Sequence, residues 1–212
     1  VFGALPAAPR LAPVNQVEPK LDQRIALDFD VPQASIRLAY PGMARDEPAF
    51  FAAYLMNHVL GGGTFSSRLF TEVREKRGLA YGIGSGIMNR DYSSALMIGT
   101  STRADRAAET LAVIRDVVKE MAENGPSEQE LADAKAYVKG AYAIGNLDTS
   151  MAIARTLVDL QVEDLGIDYI ERREALIDAV DLDAVKEVAK RLLSAEPAVM
   201  IVGPAAGTDK ED

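Results

Sequence analysis

Apolar and polar residues alternate over residues 24–30 (RIALDFD) and again over 34–40 (ASIRLAY), with Pro32 between them and Pro41-Gly42 after. A period of two marks a strand with one buried face, so both stretches are predicted strands. The period then changes. Over 49–60, Phe51, Leu55 and Val59 fall on one helical face, Pro48 suits a first helical position, and Gly61-Gly62-Gly63 ends the pattern. Leu69, Phe70 and Val73 define a second helix over 66–76, with Gly78 as its left-handed cap. Residues 81–88 and 92–100 return to a strand pattern around a polar turn at 89–91. Strict alternation puts Gly82, Gly84 and Gly86 on one face of the first strand, and Tyr81, Ile83, Ser85 and Ile87 on the other. A face without side chains lets a helix or another backbone come close.

The second half reads as helices. Leu111, Ile114, Val117, Val118 and Met121 recur at helical spacing over 104–124, and Gly125-Pro126 ends that run. Ser127 and Glu130 form a capping box for a helix reaching about residue 145. Asp148 is placed to cap a helix over 150–162, and two more are expected over 167–179 and 183–193. A last strand fits 198–202. Strands, helices, paired strands, a block of helices and a final strand predict an α+β fold: a mostly antiparallel sheet with helices packed on one face. The β-α-β alternation of a doubly wound parallel sheet is missing.

Composition narrows the function classes. The 212 residues carry 32 acidic and 23 basic side chains, a net charge of −9, with no block of Lys or Arg. Nucleic acid and anionic membrane surfaces need a clustered cationic footprint, so neither is the expected partner. No apolar run approaches the roughly 18 residues of a membrane span, so no membrane insertion is expected. Cysteine is absent, which excludes disulfides, thiolate nucleophiles and cysteine-ligated zinc. Pro6, Pro9, Pro13 and Pro19 punctuate a start without regular pattern. Residues 1–20 are therefore expected to be an interdomain connector, 21–206 a domain, and 207–212 a polar tail; an ordinary mobile N-terminus is the bland alternative.

The candidate chemistry is sparse. His58 is the one histidine and has no second His or Cys to join it, so no metal site is expected in this chain. The H-E-x-x-H pattern and G-x-S-x-G are both absent. Gly61-Gly62-Gly63-Thr64 precedes a helix, where backbone N–H groups can cradle an anion, but no Walker lysine follows. Those glycines also fit a tight turn, or a bare loop against which a peptide backbone can lie. Gly82-x-Gly84-x-Gly86 lies within a strand and lacks the dinucleotide-binding spacing. Arg74 and Tyr81 are the sharper pair. A phenol donates a hydrogen bond to a developing oxyanion without itself being charged, and a guanidinium offers fixed donors to a carbonyl or carboxylate. On residues alone a solvated Arg74 and a half-buried Tyr81 is the better-supported reading, and Arg68 and Arg77 are equally charged neighbours.

The run from Leu60 through GGG, Ser66-Ser67-Arg68-Leu69-Phe70 and Val73-Arg74-Glu75-Lys76-Arg77-Gly78-Leu79-Ala80-Tyr81 closely resembles the M16 zinc peptidases, which include pitrilysin, insulin-degrading enzyme and the mitochondrial processing peptidase. It is similar to their later, zinc-free domain. The resemblance implies an α+β sandwich of which two or four copies enclose a chamber, and a zinc held in a different domain by H-x-x-E-H. It implies that Arg74 and Tyr81 hold the substrate peptide and that Tyr81 steadies the oxyanion. It also places Gly61, Gly62 and Gly63 where the processing peptidase has its glycine-rich substrate loop. The implied partners are an H-x-x-E-H-bearing M16 domain or subunit, which supplies the zinc, and a peptide substrate; a dimer is compatible with this. Family habit points to a bacterial envelope location. The alternative is a non-catalytic scaffold or interaction domain of the same fold.

Overall fold

The computed structural model describes residues 12–204. Among them five strands form one sheet: β1 (Arg24–Asp28), β2 (Gln33–Pro41), β3 (Ala80–Met88), β4 (Ala95–Arg103) and β5 (Ala198–Gly203), in the order β1-β5-β2-β4-β3. All pairings are antiparallel except β1 with β5. Six α-helices accompany them: α1 (Phe50–Asn57), α2 (Ala107–Asn124), α3 (Glu128–Asn146), α4 (Ser150–Val162), α5 (Tyr169–Asp178) and α6 (Leu182–Leu193).

The helices lie on one face of the sheet. Ile36 and Leu38 of β2, Leu96 and Ile98 of β4, and Val199 and Ile201 of β5 are buried there with Leu55, Ile114, Val188 and Leu192 from the helices. Residues of opposite parity point the other way, as the pleat requires. A row of that second face reads Ile25, Met200, Arg37, Gly99, Gly84 across β1, β5, β2, β4 and β3. Ile25, Met200 and Arg37 in that row are exposed. The fold is thus α+β, a mostly antiparallel sheet covered by helices on one side, as the pattern of the chain predicts.

Several local expectations need correcting. β4 begins at Ala95 rather than residue 92, because the preceding residues serve other partners: Tyr92 O accepts from the Val17 amide (2.8 Å) and Ser94 O from Gly42 (3.2 Å). Thr149, not Asp148, caps α4, its hydroxyl accepting from the Ala152 amide at 3.1 Å. The capping box at Ser127 and Glu130 is present. The helix expected over 66–76 starts at residue 68: a separate 3₁₀ turn, Thr64–Ser66, precedes it, and Ser67 between the two is extended. The expected connector falls outside the described residues up to residue 11; residues 12–20 are exposed and without regular structure, though Gln16 and Val17 bond to Asp91 and Tyr92. The expected tail 207–212 lies wholly outside the described residues.

Candidate functional site

Alternation does not hold at Tyr81. Ala80 pairs with Thr102 and the next register pair is Ile83 with Thr100, so Tyr81 and Gly82 together oppose Ser101. This β-bulge inserts one residue and re-aims a side chain. Ala80 and Ile83 both remain buried, whereas Tyr81 is 90% exposed. The expectation that Tyr81 shares a face with Ile83 is therefore wrong, and the extra residue is the reason. Two threonines of β4 pin the bulge from below. Thr102 donates its hydroxyl to Leu79 O at 2.6 Å and Thr100 donates to Gly82 O at 2.8 Å. Reading the residues in isolation misses both, since their role exists only once the register is known.

Arg74 reaches the same place from a helix. Chain 70–75 is wound as a π-helix, Phe70–Glu75, which ends where Gly78 takes φ 59° and its amide bonds to Arg74 O at 3.0 Å. Such widened turns cluster at functional sites. The Arg74 guanidinium carbon lies 4.7 Å from the Phe70 ring centroid and 5.3 Å from that of Tyr81. Phe65 meets Phe70 edge-on at 5.1 Å. Arginine stacks on aromatic faces this way while its N–H donors stay free in the plane.

The structure separates the three arginines that spacing alone leaves equivalent. Arg68 donates to both Glu130 oxygens at 2.7 Å, to Gly125 O at 3.0 Å and to Glu120. The Arg68 bond holds the Glu130 carboxyl down to about 2. Arg77 is tied to Glu72. Arg74 has no carboxylate at ion-pairing distance among the described residues.

The three glycines differ. α1 runs on into a π turn, His58–Gly62. Gly61 is buried against β3, where a Cβ would stand 2.7 Å from the Ser85 amide nitrogen. Ser85 in turn donates to Asn57 Oδ1 at 2.7 Å. Gly62 is exposed and Gly63 partly so. A Cβ on Gly63 would stand 2.8 Å from His58 O.

The fit to zinc is poor. His58 is half-buried, packs at a tilt against Tyr137 with ring centroids 5.0 Å apart, and burial pushes its imidazole below the ordinary value. Among the described residues no group of three or more His, Asp or Glu converges as a metal cage. The chemistry available here is hydrogen-bond donation and cation stacking.

A family model described as the peptidase M16 inactive domain matches residues 1–138. A protein of Mycobacterium tuberculosis described as an uncharacterized zinc protease is 32% identical over 209 residues, covering 96% of this chain and 46% of its own length. A Streptomyces coelicolor protein of the same description is 32% identical over 175 residues, 81% of this chain and 37% of its own. The chain thus spans less than half the length of these curated relatives. The crystal structure of a peptidase M16 inactive domain from Pseudomonas fluorescens superposes with a TM-score of 0.85 at 33% identity, over 97% of this chain and 48% of that one.

Proposed function

The chain belongs to the M16 peptidases, matching their inactive domain, and from that premise we propose that it is the substrate-holding, zinc-free part of a zinc metallopeptidase. One observation carries the reading. Of three candidate cations, only Arg74 is free of carboxylates, and it is stacked between Phe70 and a Tyr81 that a bulge turns out to solvent.

In this reading the Arg74 guanidinium donates to the carbonyl groups of an extended peptide. The Tyr81 hydroxyl donates to the oxyanion that develops at the scissile carbonyl, an interaction stronger in the transition state than in the ground state. Gly62 and Gly63 leave backbone open for the peptide to approach, while Gly61 sets their position by packing on Ser85. The zinc and its H-x-x-E-H ligands come from another M16 domain or subunit.

Tyr81→Phe removes the donor and nothing else of size. In the enzyme assembled with an H-x-x-E-H partner, kcat should fall by about 10- to 1,000-fold, the range for a lost oxyanion donor. Arg74→Ala should weaken peptide binding. A scaffold of the same fold would show unchanged peptide affinity with Arg74→Ala and unchanged turnover with Tyr81→Phe, and that pair of results would end the enzymatic reading.

A further inference from the structure

Arg37 stands on the sheet face that the helices leave uncovered. Its register partners are Met200 on one side and Gly99 on the other, and Gly99 is in turn opposite Gly84. The side chain lies flat over β4: a Cβ on Gly99 would fall 2.4 Å from Arg37 Nη1. That nitrogen makes two long hydrogen bonds, 3.3 Å to Ile36 O and 3.5 Å to Thr100 O. No carboxylate of the described residues pairs with it. The strands carry three other charges. Arg24 and Asp28 fall on the opposite parity from Ile25 and Leu27, hence on the helix side, and Arg103 at the end of β4 is paired with Asp105. Arg37 is therefore the uncompensated charge in the middle of a neutral face, in a chain of net charge −9. A guanidinium with five N–H donors and two long bonds keeps a free fork, and that fork fits a carboxylate.

Distance ties this cation to the pair at the edge. From the guanidinium over Gly99 the next strand is β3, about 5 Å away, and Tyr81 lies three residues along it from Gly84, about 10 Å. Gly99, Gly84 and Gly82 raise no side chain along that path, and the one atom a Cβ on Gly84 would touch is the Gly61 carbonyl oxygen, 3.4 Å off at the border of the face. An extended peptide covers that span in about three to four residues.

We propose that Arg37 anchors a carboxylate of the bound peptide, three or four residues from the bond that Tyr81 addresses. The inference rests on the reading of Arg74 and Tyr81 above. Two sources present the same anion, a free C-terminus and an acidic side chain.

The test is fluorescence anisotropy with labelled twelve-residue peptides of one unstructured sequence. One ends in a free carboxylate, one in an amide, and two amidated versions carry Glu or Gln four residues from the end. The chain is compared with Arg37→Met, which keeps the apolar stem, with Gly99→Ala, which displaces the guanidinium, and with Arg74→Ala. The wild-type chain should bind the free-acid or the Glu peptide about three- to ten-fold more tightly than its neutral counterpart, the more so at low salt. Which of the two is favoured identifies the source. Arg37→Met and Gly99→Ala should erase the preference while leaving the neutral peptides bound as before, and Arg74→Ala should weaken all four together. A preference that survives Arg37→Met, or is absent from the wild type, overturns the anchor while the response to Arg74→Ala stands. Loss of preference in Arg37→Met with no response to Arg74→Ala fails the pair instead. No binding by any peptide overturns both.

Discussion

Gly61 and Gly62 are the same residue in adjacent positions, and their surroundings give them opposite tolerances. A methyl at Gly61 meets the Ser85 backbone nitrogen at 2.7 Å and Leu69 Cδ1 at 2.9 Å, and neither backbone nor core has room to give. At the exposed Gly62 the first obstacle is Asn57 Nδ2 at 2.7 Å, the end of a side chain, and the nearest backbone atom, Asn57 O, is 3.2 Å away. Gly61→Ala should therefore destabilise by about 1–3 kcal/mol, the usual cost of overpacking. Gly62→Ala should stay within about 1 kcal/mol, helped by lower backbone entropy in the unfolded chain. Urea denaturation of the two variants checks this, and equal losses would contradict it. At the same scale Arg74 shows what the sequence withholds. Its charge and its seven-residue spacing to Tyr81 are legible, but Arg68 and Arg77 look alike until Glu120, Glu130 and Glu72 are seen to claim them.

The helix bearing Arg74 is held at its start by an ion-pair cluster. Arg68 reaches Glu120 of α2, Glu130 of α3 and the Gly125 carbonyl between those helices. Glu130 has a second task, closing the cap of α3 by accepting from the Ser127 amide at 2.7 Å. Its folded carboxyl is held at about 2 by Arg68, below the ordinary 4.5, so the folded state favours the charged form. That stabilisation is complete above pH about 4.5 and is lost as pH falls towards about 2. Because the pair is partly solvated, the loss is about 1 kcal/mol rather than the full linkage value. Melting temperature measured across that window should fall less steeply for Glu130→Gln than for wild type, and parallel curves would remove the clamp from the account. The elements themselves were largely readable. Alternation over 24–30 and 34–40, the buried stripe of α2 and the Ser127 box all rest on local periodicity or local chemistry. The π turns and the bulge were not: a widened turn leaves its apolar stripe nearly in place, and the slip in alternation caused by one extra strand residue falls on Tyr81 and Gly82, which carry no clear apolar signal. Their cause is tertiary: Gly61 settling on Ser85, and Thr100 and Thr102 claiming backbone carbonyls.

For the molecule as a whole, the described residues hold donors without a metal cage and an open sheet face opposite the helix layer. The chain by itself should show no peptidase activity and bind no stoichiometric zinc, with turnover appearing when an H-x-x-E-H subunit is added. Metal analysis returning one zinc per chain would refute this. The added residue in β3 has one more consequence, for how such a protein can change. Since both neighbours of the Tyr81-Gly82 step stay in the interior, the strand anchors itself at positions other than the one it exposes. Drift at position 81 can therefore change the displayed group without disturbing the architecture. Removing Gly82 would instead restore simple alternation with Ala80 and Ile83 still facing inward, and so part the aim of the phenol from the needs of the interior.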